Sequence, residues 1–157
     1  MRTIYIKQGE VPKLPPLVAT IGFFDGVHRG HQFLINQVID EAKRNEMESA
    51  VITFDAHPRQ VLQYQPELLS TLEEKLLLLS KTHIENVIVL HFDKSLSALS
   101  ARNFMDEVLS KQLNVKELLI GYDNRFGHNR QEGFDDYVRY GHEIGIKVLH
   151  ADPFQPN

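Results

Sequence analysis

Leu17-Val18-Ala19-Thr20-Ile21 followed by Gly22-Phe23-Phe24-Asp25-Gly26-Val27-His28-Arg29-Gly30-His31 is the stretch whose reading decides the fold. Its first half is a short apolar run entered through Pro15-Pro16, whose extended geometry suits the approach to a buried strand. Its second half carries three glycines spaced by four, Gly22, Gly26 and Gly30, a loop that can take positive φ and let a ligand come close to the main chain. Beyond it Phe33, Leu34, Val38 and Ala42 recur at helical spacing, with polar Gln32, Asn36, Gln37, Asp40 and Glu41 between them. A strand, a glycine-rich turn and a helix in that order open a β–α unit.

The same alternation continues to the end of the chain. Ala50-Val51-Ile52-Thr53-Phe54 reads as a second strand, stopped by Asp55 and His57-Pro58. Thr71-Leu72-Glu73-Glu74 offers a capping-box start to a helix running from about Leu72 to Thr82. Asn86 to Leu90 is a third strand, and residues Ser100 to Leu113 read as a helix with Phe104, Val108 and Leu109 on its apolar face. Glu117 to Ile120 ends at Gly121 as a fourth strand. Phe134, Val138 and Ile144 sketch a helix that stops at Gly145, before a fifth strand at Ile146 to Leu149. Apolar strands alternating with helices predict an α/β fold: a doubly wound, mostly parallel five-stranded sheet of Rossmann-like type. No repeat or linker interrupts the pattern, so residues 1–157 read as one domain.

Composition narrows the function classes. Apolar residues make up 42% and charged residues 24%, an ordinary globular balance. The net charge of −4 lacks the basic surplus expected of a nucleic-acid partner. The absence of cysteine removes disulfides, thiolate metal sites and cysteine nucleophiles, and fits a reducing cytoplasm. No apolar run approaches the roughly 20 residues that cross a bilayer, and MRTIYIKQGE lacks the core of a secretory signal. The expectation is a cytoplasmic protein without nucleic-acid or membrane partners.

In open α/β sheets, ligands bind beyond the carboxyl ends of the strands, where the winding reverses. The loop from Gly22 to His31 leaves the first strand at that edge and enters a helix whose N-terminus attracts anions. His28 and His31 are three residues apart, so on a first helical turn both imidazoles lie on one face. There they can donate to phosphate oxygens and steady charge that grows in a transition state. Asp25 can contact a substrate or cap the turn. The loop is neither a Walker loop nor a dinucleotide Gly-x-Gly-x-x-Gly pattern. Histidines in place of a loop lysine favour attack at an internal phosphate, that is, nucleotidyl transfer. A metal site built on the same pair would need further His/Glu partners that the spacing does not supply.

The string His28-Arg29-Gly30-His31 resembles the His-x-Gly-His signature of the nucleotidylyltransferase superfamily, and Ile21 to His31 as a whole resembles the bifunctional bacterial FAD synthetases (riboflavin kinase/FMN adenylyltransferase). Thr53-Phe54-Asp55-Ala56-His57-Pro58 is similar to that family's Phe-x-x-His-Pro strand ending. Gly121-Tyr122-Asp123-Asn124-Arg125-Phe126-Gly127 is similar to its Gly-x-Asp/Asn-Phe-x-Phe-Gly stretch, with Asn124 in the place of an aromatic residue. The resemblance implies transfer of the adenylyl group of Mg2+-ATP to FMN, giving FAD and pyrophosphate. It assigns catalytic contacts to His28 and His31. It places Gly22, Phe23, Phe24, Asp25, Gly30 and Asp123 at the nucleotide, and Phe54, His57, Pro58 and Phe126 towards the flavin. On residue type alone, Phe54 and Phe126 also suit a core, Asp123 a turn and His57-Pro58 a loop corner. Another small-molecule nucleotidylyltransferase, or a nucleotide- or flavin-binding piece without turnover, stays open. The family's Ser-Ser-Thr-x-x-Arg motif and its carboxyl-terminal riboflavin kinase domain are not in the chain, so the expectation is a truncated adenylyltransferase domain of a longer protein.

Overall fold

The computed structural model describes residues 1–56, 71–121 and 132–154. Among them six strands form one sheet: β1 (Arg2–Ile6), β2 (Leu17–Ile21), β3 (Glu48–Phe54), β4 (Asn86–Leu90), β5 (Val115–Ile120) and β6 (Lys147–His150). Their spatial order is β1-β4-β3-β2-β5-β6, and every pairing is parallel. The chain steps from β2 to β3 and β4 on one side, then crosses to β5 and β6 on the other. The winding therefore reverses at β2, and the loop that leaves β2 sits at the switch point.

The sheet has one strand more than the five expected. β1 pairs only with β4, at the edge, and buries Ile6 while Tyr5 is 60% exposed. An edge strand wet on one side carries no continuous apolar run, which is why Arg2 to Ile6 does not announce itself.

The inner strands are apolar on both faces, and their side chains divide with period two. Leu17, Ala19 and Ile21 of β2, Ala50 and Ile52 of β3, and Ile88 and Leu90 of β4 enter one core. Val18, Val51, Val87 and Val89 enter the other. Each fully buried aliphatic side chain contributes about 1.5–3 kcal/mol relative to exposure.

Helices cover both faces. α1 (Arg29–Arg44) packs Ile35, Val38, Ile39 and Ala42 on the second core. Phe33 stays outside that core and meets the ring of Phe154, 5.7 Å away, so the buried face lies beside the one read from spacing. α2 (Leu72–Ser80) starts at the expected box, with Thr71 Oγ1 accepting from Glu74 N–H at 3.1 Å and Glu74 accepting from Thr71 N–H at 3.2 Å. A short α3 (Lys94–Ser97) precedes α4 (Ala101–Phe104), which continues as π-helix over Met105–Gln112. Phe104, Val108 and Leu109 of this stretch are buried as their spacing predicts, together with Met105. In α5 (Phe134–Ile144) the buried residues are Tyr137 and Gly141, and Val138 is 39% exposed. Gly141 is there because a Cβ would lie 2.3 Å from the carbonyl oxygen of Ile146, so the helix rests directly on the strand that follows. No described helix is long and apolar enough to cross a membrane.

Candidate active site

The turn after β2 is built by unusual backbone. Phe24 (φ 58°), Gly26 (φ 75°) and Val27 (φ 43°) all lie in the left-handed region within four residues. Only glycine enters that region freely, and a β-branched residue there costs on the order of 1 kcal/mol or more. The side chains of Phe24 and Val27 offset it: both are buried in the second core, where the sheet and α1 hold them. The turn is thus pinned by packing, and Asp25–Val27 forms a single 3-10 turn that delivers the chain to α1.

His28 is the N-cap of α1. Its Nδ1 accepts from the N–H groups of Gly30 and His31, at 3.1 and 3.3 Å. In return His31 Nδ1 accepts from His28 N–H at 3.2 Å. The result is a capping box made of two imidazoles, with the rings stacked 3.5 Å apart at 20°. Gly30 permits it, since a Cβ at that position would lie 3.0 Å from Cε1 of His28. The ring of Phe24 meets His31 edge-on at 5.0 Å.

This arrangement changes how an anion would be held. A helix N-terminus normally offers free amides, but here the amides of Gly30 and His31 are already engaged by His28. The imidazoles stand beside these engaged amides as donors of their own. Because each Nδ1 accepts a backbone N–H, the proton of each neutral ring sits on Nε2. Burial, and then the nearby His28, lower the pKa of His31 from 6.5 to about 4, against a smaller opposing pull from Asp25. His31 is therefore a neutral N–H donor at physiological pH.

Lys75 is the site residue that the sequence conceals. In the string Leu72 to Ser80 it reads as the polar face of α2, yet it is 1% exposed while Leu77 is 62% exposed. Its Nζ donates to the carbonyl of Phe23 (2.9 Å), to Thr53 Oγ1 (2.9 Å) and to the carbonyl of Phe54 (3.2 Å). It also lies 3.8 Å from the centre of the Phe23 ring. Thr53 Oγ1 in turn donates to the Phe23 carbonyl at 3.0 Å. Burial pulls the ammonium from 10.5 to about 8, with Asp25 and Asp55 pulling the other way. The only sequence signal was a lysine among leucines on a helix whose charged face was already supplied by Glu73 and Glu74.

Of the residues singled out from sequence, Gly22, Phe23, Phe24, Asp25, His28, Gly30 and His31 come together in this one turn. Phe24 points inward, so what it presents to the outside is backbone. Phe54 ends β3, packs against the first core and meets the ring of Phe92 edge-on at 5.6 Å. Beside it Asp55 accepts from Phe92 N–H (3.0 Å) and pairs with His91 Nδ1 (2.7 Å). His57, Pro58, Asp123 and Phe126 lie outside the described residues. The chain leaving β6 returns to α1: Gln37 and Asp152 exchange two hydrogen bonds, of 3.1 and 2.8 Å, and Arg29 lies over the Phe154 ring.

Comparison with known proteins places the chain in a family. A family model described as FAD synthetase matches residues 11–157. The bifunctional riboflavin kinase/FMN adenylyltransferase of Escherichia coli (strain K12) is 35% identical over 139 residues, covering 87% of this chain and 44% of that protein. The protein of the same description from Listeria monocytogenes serovar 1/2a is 35% identical over 126 residues, covering 78% of this chain and 40% of its own length. The chain thus spans less than half of these relatives. A crystal structure described as a macrolide-efflux protein from Streptococcus pneumoniae superimposes with a TM-score of 0.85 at 24% identity, over 100% of this chain and 53% of that one. At that identity it speaks for the fold alone. By the extent of the family match and the identity to its relatives, the chain belongs to the FAD synthetase family.

Proposed function

We propose that this chain transfers the adenylyl group of ATP to FMN, giving FAD and pyrophosphate. An oxygen of the FMN phosphate attacks the α-phosphorus and forms the new P–O bond. The bond from that phosphorus to the oxygen bridging the β-phosphate breaks, and pyrophosphate leaves with the electron pair. The nucleophile is already ionised, so no general base is needed. What the reaction asks of a protein is in-line alignment of two anionic groups and donors placed where charge develops.

The observation that carries the reading is the stacked pair His28–His31, each with Nδ1 committed to the helix and Nε2–H available. Neutral donors at the positive end of α1 suit phosphate oxygens, and they suit a metal cation poorly because they offer protons rather than lone pairs. Mg2+ in this reading arrives with ATP and supplies neutralisation of its phosphates. Gly22, Phe23, Asp25 and Gly30 border the phosphates. From the family resemblance come the roles of Asp123 with the nucleotide and of Phe54, His57, Pro58 and Phe126 with the flavin. The relatives' description extends the proposal: the longer protein would also make FMN from riboflavin, in the cytoplasm.

The test is incubation with Mg2+-ATP and FMN, following FAD by chromatography and pyrophosphate by a coupled assay. FAD formation is the expected result. Pyrophosphate release only with another phosphorylated acceptor would reassign the substrate, and binding without product would make the chain a nucleotide-holding module.

A further inference from the structure

Lys75 poses a physical question that packing alone does not answer. A buried ammonium is costly, and a methionine of similar length would fill the same space without that cost. What the ammonium does is close three acceptors at the carboxyl edge of the sheet: the Phe23 and Phe54 carbonyls and the Thr53 hydroxyl. Those residues lie at two different strand ends, β2 and β3, which Thr53 also links by donating to the Phe23 carbonyl. The Phe23 ring stacked against the same nitrogen fixes that residue from a second direction. The next residue, Phe24, turns through left-handed backbone and sets its ring against His31. A continuous path therefore runs from the Lys75 ammonium through Phe23 and Phe24 to the imidazole pair.

We propose that Lys75 is a positioning residue of this site: its ammonium locks the angle at which the turn leaves β2 and so sets the placement of His31 and, through the stack, of His28. It touches no substrate in this account and acts through Phe23 and Phe24. The role rests on the adenylyl-transfer reading for its effect on rate, and on geometry alone for its effect on the histidines.

The absence of cysteine makes a clean experiment available. Lys75→Cys creates a unique thiol, which is alkylated in denaturant with bromoethylamine or with bromopropane and then refolded. The first restores a lysine-like ammonium, and the second gives a side chain of the same length without charge. FAD formation is measured as kcat and KM separately, and the imidazole resonances of His31 are followed by NMR against pH. The aminoethyl form is expected to match the parent protein. The propyl form, like Lys75→Met, is expected to lose about 10²-fold in kcat with KM within about threefold, the scale of a displaced reacting geometry. Its His31 titration is expected to move up from about 4 towards 6.5. Equal kcat and equal His31 titration in the two alkylated forms overturn the proposal. If the parent protein makes no FAD, the adenylyl-transfer reading fails, while the His31 titration still decides the positioning role on its own.

Discussion

The two ends of the sheet treat their polar groups in opposite ways. At the amino ends of the strands most of them close on one another, Glu117 Oε1 being left without a partner among the described residues. Arg2 donates to Asn86 Oδ1 at 2.9 Å, and Asn86 Nδ2 donates to Glu48 Oε1 and to the Ser49 carbonyl, both at 3.0 Å. Asn45 bridges Glu41 and Glu117, at 2.9 and 2.6 Å. At the carboxyl ends Lys75 is likewise consumed, but His28 and His31 are each engaged at Nδ1 and, among the described residues, at no other nitrogen. A closed network adds stability and specifies the packing. A half-used one leaves donors for something that is not protein. That difference, more than the presence of polar residues, favours the carboxyl edge as the proposed site.

The largest expected effect breaks the carboxyl edge. His28→Ala and His31→Ala should each lower FAD formation by about 10²-fold or more, as for a lost transition-state donor, with circular dichroism unchanged. Near-normal rates in both variants would remove the pair from the chemistry. Next, Asn45→Ala breaks the amino edge. It leaves the buried Glu117 carboxyl without its Asn45 donor and should cost about 1–3 kcal/mol of stability in urea unfolding, with kcat unaltered. A matching loss of activity would erase the distinction between the edges.

Gly30→Ala is subtler. Its methyl would press on the His28 ring, and a tenfold loss of rate, about 1.4 kcal/mol, is expected with a smaller change in melting temperature. An unaltered rate would show that the stacked geometry tolerates displacement.

The smallest effect is in pH dependence, where the two edges should oppose each other. The folded chain refuses a proton at His31 until about pH 4, whereas the unfolded chain takes it near 6.5, so this edge loses stability as pH falls between those values. Burial, and then the adjacent Glu41 carboxyl, raise the Glu117 carboxyl above 4.5. The folded chain therefore keeps a proton that the unfolded chain has released, and this edge loses stability as pH rises through the folded value. Glu117→Gln should remove the second slope and raise the melting temperature at neutral pH by about 2–4 °C. His31→Ala should remove the first slope. Thermal melts from pH 4 to 8 on both variants check the signs, and a common slope would refute the contrast.

Much of the fold was legible because it rests on local, periodic signals. Val18, Val51 and Val87 sit in runs that are apolar on both faces, the mark of a covered parallel sheet. Thr71 and Glu74 form the box that their spacing announces, and His28 and His31 share one helical face. The misreadings have a common cause. β1 needs β4 beside it to be a strand at all. Val138 and Leu77 are apolar yet outward, while Gly141 and Lys75 are inward, because the neighbouring strand comes too close for a side chain at one place and offers three acceptors at the other.

By itself, then, the order of strand, glycine turn, paired histidines and helix determined the fold class and named the loop proposed as the site, since hydrophobic period and glycine placement act over a few residues. Only the tertiary structure decided how the histidines are used. The imidazoles take the helix amides and keep Nε2–H outward because Gly30 leaves room for the His28 ring and Phe24 backs His31. The Lys75 ammonium binds Phe23, Thr53 and Phe54 because the ends of β2 and β3 converge on it, a coincidence of distant chain segments that no local pattern encodes.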